Sequence, residues 1–197
     1  METAFLVRHA ESEYSACGLV NGDPSVRVAL TPAGRQQARA LGTALAGEHI
    51  DLCVVTDFLR TLETADVALG DRPTPRLVFP ELNDPDYGDF EGALLEEYRA
   101  WVGEHGSRVR IPGSLESRLD LVRRYALGFR TVLARPEPTV LCVLHSLPLA
   151  YVAGALGGKD PAPRMAVVGY AEVVRVAEAA LDRAVARLEA WGEAPTW

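Results

Sequence analysis

Apolar positions fall into two patterns along this chain: short continuous runs, and longer stretches with helical spacing. Residues 3 to 7 are the first short run, read as a buried strand that stops at Arg8-His9. Residues 11 to 29 read as a loop, with Gly18, Asn21, Gly22, Asp23 and Pro24 as breakers. Thr31-Pro32 is a helix start, with Thr as N-cap and Pro in the first turn. Ala33, Gln37, Ala40, Leu41, Ala44 and Leu45 then keep near-helical spacing to about Ala46, and Gly47 closes the helix.

Residues 51 to 55 predict a second strand, ending in Thr56-Asp57 with Arg60 just beyond. Leu59 to Leu69 predicts a helix closed by Gly70. Arg76 to Phe79 predicts a third strand. The acidic segment 80 to 92, with two prolines and two glycines, predicts irregular backbone. Helices follow over about 93 to 102 and 114 to 133, separated by a loop. Thr139 to Leu144 is a further strand, ending in His145-Ser146, and Leu147 to Leu156 a further helix. Near the C-terminus, residues 171 to 176 alternate and predict a strand. Leu181, Ala184, Val185, Leu188 and Trp191 have helical spacing.

Strands alternating with helices predict an α/β fold: three layers, α/β/α, with a mostly parallel central sheet and helices on both faces. No linker or repeat divides the chain, so residues 1–197 are expected to form one domain. In open α/β sheets ligands bind at the carboxyl ends of the strands. Arg8-His9, Thr56-Asp57 with Arg60, and His145-Ser146 should therefore converge on one edge of the sheet.

Composition narrows this little. The chain has 197 residues, 48% apolar and 24% charged, which suits a globular fold. A net charge of −7 disfavours nucleic acid as a partner. An anionic substrate would need a basic pocket working against the global field. The three cysteines, Cys17, Cys53 and Cys142, show no metal-type spacing; Cys53 and Cys142 sit in apolar runs and are expected in the core. The chain opens without a basic, apolar leader, and no apolar run approaches the roughly 20 residues that span a bilayer. No membrane association is expected, and a reducing cytoplasm fits the unpaired cysteines.

Two strand-end histidines and two arginines suit a doubly charged tetrahedral anion, because guanidinium forks match phosphate oxygens. His49 and His105 lie beside glycines in loops and are read as solvated. Arg60 has a duller option, pairing with Asp57 or Glu63 nearby. No acidic cluster with ligand spacing accompanies the histidines, so no metal is implied.

Arg8-His9-Ala10-Glu11-Ser12 resembles the signature of the histidine phosphatase (phosphoglycerate mutase-like) superfamily. Further blocks resemble that family in its own order: Asn21-Gly22-Asp23-Pro24, Leu30-Thr31-Pro32-Ala33-Gly34, Thr56 to Ala65, Leu82 to Gly92, a looser Pro112 to Ser117, and Val140 to His145. The resemblance implies a phosphoglycerate mutase-like fold and a metal-independent phosphatase with no cofactor. It implies that His9 is the nucleophile that becomes phosphohistidine. Arg8, Arg60 and His145 would hold the phosphoryl oxygens, and Asp84 would be the proton donor. Ser15, Asn21 and Gly22 are candidate substrate contacts.

The chain departs from the family in places. Ala10 and Ser146 replace glycines, Ser15 stands where many members have asparagine, and Asp84 falls where glutamate is usual. Glu81 is the competing acid. The family pattern also suggests a closing β-hairpin near 171 to 190, against the helical spacing there. The expected substrate is a small phosphorylated metabolite. Two alternatives stay open: a phosphoglycerate mutase-type phosphotransferase, and a catalytically silent phospho-ligand binder. Arg123-Arg124-Tyr125 resembles the mutase branch's basic string but lies past Pro112, where it reads as a helix face.

Overall fold

The computed structural model describes residues 1–197. The apolar runs become β1 (Thr3–Arg8), β2 (Leu52–Val55), β3 (Arg76–Val78), β4 (Thr139–Leu144) and β5 (Val173–Ala177). They pair into one sheet in the order β3-β2-β4-β1-β5. All pairings are parallel except that of β1 with β5, which is antiparallel. The helices are α1 (Glu13–Ala16), α2 (Pro32–Ala44), α3 (Leu59–Leu69), α4 (Leu95–Glu104), α5 (Arg118–Leu133), α6 (Ser146–Leu156) and α7 (Glu178–Glu193).

Strand alternation divides the core between the two faces of the sheet. Phe5, Val7, Cys53, Val55, Leu141 and Val143 face Leu41 and Leu45 at α2 and Ala65 and Leu69 of α3. Ala4, Leu6, Leu52, Val54, Val140 and Cys142 face the other layer, built from α5, α6 and α7. Each such Val or Leu contributes about 1.5–3 kcal/mol by leaving water. Both faces are covered, which is why the strands read as continuous apolar runs. Buried Cys53 and Cys142 belong to this core, and desolvation pushes the Cys53 thiol up to about 12. Cys17, outside the apolar runs, is exposed.

Several expected boundaries shift. The segment 11 to 29 is not all loop: Ser12 and Ser15 form a capping box around α1. The segment 80 to 92 contains two 3-10 turns, Pro80–Leu82 and Gly88–Phe90. α5 starts four residues later than predicted, because Ser117 caps it and accepts from the Asp120 N–H. Gly34, on α2, has a steric origin: a Cβ there would run into the Glu11 carbonyl. α2 therefore packs directly on the segment following β1.

The tail settles as a strand followed by a helix, without a hairpin. β5 covers the free edge of β1, and α7 follows immediately. Leu181, Ala184, Val185, Leu188 and Trp191 are all buried on one side of α7, in the cluster shared with α5 and α6. A stripe at 3.6-residue spacing needs a helical neighbour, and α5 supplies it. No helix is long and apolar enough to cross a membrane.

Candidate active site

The carboxyl ends of β1, β4 and β2 lie side by side, as the strand order requires. Arg8 pairs in register with Leu144, and the His9 N–H donates to the Leu144 carbonyl (2.8 Å). His9 and His145 thus follow neighbouring strands, with ring centroids 5.5 Å apart. Ala10 N–H is held by Thr64 Oγ1 (3.0 Å), which in turn donates to the Arg60 carbonyl (2.6 Å). That link ties the turn after β1 to the first turns of α3. The Ala10 methyl packs with Leu30 and Ala38, so the extra carbon is absorbed in the core.

A cavity of about 340 Å³ opens at this edge. Arg8, His9, Arg60 and Asp84 line it, and Glu81 does not. His9 Nδ1 donates to the Ala10 carbonyl (2.8 Å). Its Nε2 has no protein partner, so that nitrogen is left as a free lone pair. Desolvation, then Arg60 and Arg8, holds the His9 pKa well below the usual value. The ring stays neutral, which is the form a nucleophile needs.

His145 is fully buried against the edge of Phe58, with centroids 4.9 Å apart. Its Nε2 lies 2.9 Å from Thr56 Oγ1, and its Nδ1 3.2 Å from Arg60 Nη2. Thr61 donates to the Phe58 carbonyl (2.9 Å), so its oxygen accepts from the Thr56 hydroxyl. Thr56 must then accept from His145 Nε2–H, leaving Nδ1 as the acceptor. Burial, Arg60 and His9 push the His145 pKa down as well. A dianion in the cavity would supply the missing countercharge and favour a proton on Nδ1.

Arg60 takes none of its expected neighbours. Glu63 pairs with Arg35 (2.8 Å), and Asp57 accepts from Asn83 (2.9 Å). Arg60 instead donates to Asn21 Oδ1 (2.6 Å) and Asp84 Oδ2 (2.9 Å). Asp84 Oδ2 also lies 3.5 Å from His145 Nδ1. The carboxylate thus sits where an anion would meet Arg60 and His145. Burial raises the Asp84 pKa, opposed by Arg60 and Arg8. Arg8 is tied from a strap that the sequence did not flag. Its Nη1 donates to the Val168 carbonyl (2.8 Å), and its guanidinium stacks 3.8 Å from the Tyr170 ring centre. Tyr170 also faces His9, with centroids 6.1 Å apart. Residue separations of about 160 put this contact beyond any local sequence signal.

The three candidate substrate contacts have their polar groups engaged by the protein. The Ser15 hydroxyl donates to the Ser12 carbonyl (2.9 Å). The Asn21 amide donates to Glu91 (2.9 Å) and the Asp23 carbonyl (3.0 Å), so Asn21 orients Arg60 and keeps no free donor. Gly22 does not line the cavity: its N–H donates to Glu91 (2.6 Å), and a Cβ there would strike the Pro85 carbonyl. Arg124 proves more than a helix face. It pairs with Glu116 (2.6 Å) and donates to the carbonyls of Glu81 (3.1 Å), Asn83 (2.9 Å) and Asp84 (3.3 Å), fixing the segment that carries the acid. Arg108 and Arg110 are exposed and lie outside the cavity. Of the remaining histidines, His49 is exposed, while His105 is half-buried and stacked on Trp101 (4.5 Å).

The sequence profile of the histidine phosphatase superfamily (branch 1) matches residues 4–192. The chain belongs to this superfamily. Phosphoserine phosphatase 1 of Hydrogenobacter thermophilus is 30% identical over 171 residues, 81% of this chain and 78% of that one. Adenosylcobalamin/alpha-ribazole phosphatase of Escherichia coli is 34% identical over 108 residues, so this chain spans about half of that relative (52%). The crystal structure of alpha-ribazole phosphatase from Shigella flexneri superposes with a TM-score of 0.75 at 27% identity, covering 88% of this chain and 89% of that one. The histidine phosphatase fold, with its mostly parallel sheet, is thus shared along nearly the whole chain.

Proposed function

We propose that this histidine phosphatase superfamily member is a phosphomonoester hydrolase working through a phosphohistidine. The observation that carries the reading is the state of His9. Its Nδ1 proton is engaged by the Ala10 carbonyl and its Nε2 is free; Arg8 and Arg60 line the same cavity, and the His145 ring centre lies 5.5 Å away. In this reading Arg8 and Arg60 bind the phosphoryl oxygens, and His145, taking a proton from solvent as the incoming dianion raises its pKa, donates from Nδ1. Asp84 is displaced from Arg60 by that dianion. Loss of its ion pair and the added negative charge both raise its pKa further, so it stands as the neutral acid.

His9 Nε2 forms a bond to phosphorus while the ester P–O bond breaks, and Asp84 gives its proton to the leaving oxygen. Water then attacks phosphorus, loses a proton to Asp84, and the P–N bond breaks to release inorganic phosphate. Phosphoryl transfer is mostly positioning and charge stabilisation, which four fixed basic groups provide. The phosphoserine phosphatase relative, matched along most of both chains, supports hydrolysis; the phosphoglycerate mutases among the relatives match about half of this chain.

Turnover of p-nitrophenyl phosphate and an acid-labile, alkali-stable phosphoenzyme after rapid quench are the expected results, both lost in His9→Ala. Wild-type protein with neither turnover nor phosphoenzyme would sink the proposal and favour a silent phospho-ligand binder.

A further inference from the structure

Five arginines line the cavity, Arg8, Arg60, Arg99, Arg118 and Arg164, against one carboxylate, Asp84. A single phosphoryl group accounts for Arg8 and Arg60. Arg118 is the unexplained one. It is the first residue of α5, and its side chain is folded inward so that the residue is only 5% exposed. It makes no salt bridge. Its Nε donates to the Tyr151 hydroxyl (2.8 Å) and its Nη1 reaches the Tyr98 hydroxyl at 3.5 Å. Both acceptors are neutral. Nη2 has no protein acceptor, and the residue lines the cavity. The Tyr151 and Trp197 rings lie 5.4 and 6.0 Å from its guanidinium carbon and shield its other sides. A buried cation is normally matched by an anion. Arg99 and Arg164 add positive charge at the rim, where both meet Glu96 (2.6 and 3.6 Å). The same cavity is also lined by apolar Leu95, Leu147, Ala150 and Met165.

We infer that Arg118 is a second anion site, and that the substrate is a phosphomonoester whose alcohol part carries a carboxylate or a second phosphoryl group across a short apolar frame. This rests on the hydrolase reading, with the scissile phosphoryl group at Arg8 and Arg60. The probes are plain alkyl phosphates, ω-carboxyalkyl phosphates and ω-phosphonoalkyl phosphates of matched chain length. At one or two chain lengths, wild-type kcat/KM should be at least about tenfold higher with the second anion than without it. The carboxylate and phosphonate arms tell which anion Arg118 prefers. In Arg118→Met that ratio falls to about one, and Arg118→Lys restores part of it. The ratio is the readout because a merely structural arginine would lower all three series together.

Equal kcat/KM for all three series at every length in the wild type overturns the inference, whether or not the variants fold. If no series releases phosphate, the hydrolase reading fails by itself. Calorimetric binding of the same compounds then decides: tighter binding of the double anions, lost in Arg118→Met, upholds the site, and equal binding refutes it.

Discussion

Asp84 carries two opposed influences in one side chain. Arg60 at 2.9 Å favours its charged form, and burial favours the neutral one. If it is the proton donor, its importance must depend on the leaving group. Asp84→Asn should lower kcat by about 10²- to 10⁴-fold for an alkyl phosphate, and far less for p-nitrophenyl phosphate, whose leaving phenolate needs little protonation. Equal losses on both substrates would mean that Asp84 holds Arg60 in place and donates no proton. Glu81→Gln should leave both rates near wild type, since Glu81 lies off the cavity. The backbone that carries Asp84 is held against α5 through Arg124.

That hold belongs to the element scale. Arg124 holds four carbonyls of the 80–84 segment, those of Pro80, Glu81, Asn83 and Asp84, and is itself oriented by Glu116 through two nitrogens (2.6 and 3.0 Å). Arg124→Ala should therefore release the acid-bearing segment without touching the phosphoryl site. kcat for alkyl phosphates should fall about tenfold or more while KM changes little, because the binding groups stay in place. A rise in KM with kcat unchanged would contradict this positioning role. α7 shows the same dependence on neighbours. Its apolar stripe was readable, but a family hairpin competed with it, and burial against α5 and α6 decided for the helix. Tyr170 and Val168 sit on the strap before β5, with no periodicity or motif to announce them; only the closing of that strap over Arg8 gives them a role.

At the scale of the whole molecule, the two buried histidines link the fold to pH. Both are held well below the usual histidine value, first by burial and then by the arginines. Below about pH 6.5 the unfolded chain takes protons there that the folded chain refuses, so stability falls as pH drops. Asp84 acts with the opposite sign at lower pH. Its raised pKa keeps a proton that the unfolded chain has lost above about 3.9, and that contribution disappears as pH rises through the folded value. The denaturation midpoint of the unliganded protein should drop between about pH 7.5 and about pH 5.5, and the drop should shrink when His9 and His145 are both replaced by Gln. An unchanged drop in that variant would place the acid sensitivity elsewhere.

The sequence by itself determined the order of strands and helices, the two-faced parallel sheet and the meeting of Arg8, His9, Arg60 and His145 at its edge. These follow from periodicities within a dozen residues and from the rule that parallel strands end on one side. It also carried the ordered blocks that mark the superfamily. Only the tertiary structure decided which acid lines the cavity. It also spent the hydrogen bonds of Ser15, Asn21 and Gly22 inside the protein, laid Tyr170 on Arg8, and buried Arg118 without a countercharge. The physical reason is that a polar group's role depends on who satisfies it. Those partners lie 24 residues away for Arg60 and Asp84, 33 for Arg118 and Tyr151, and 160 for Arg8 and Val168.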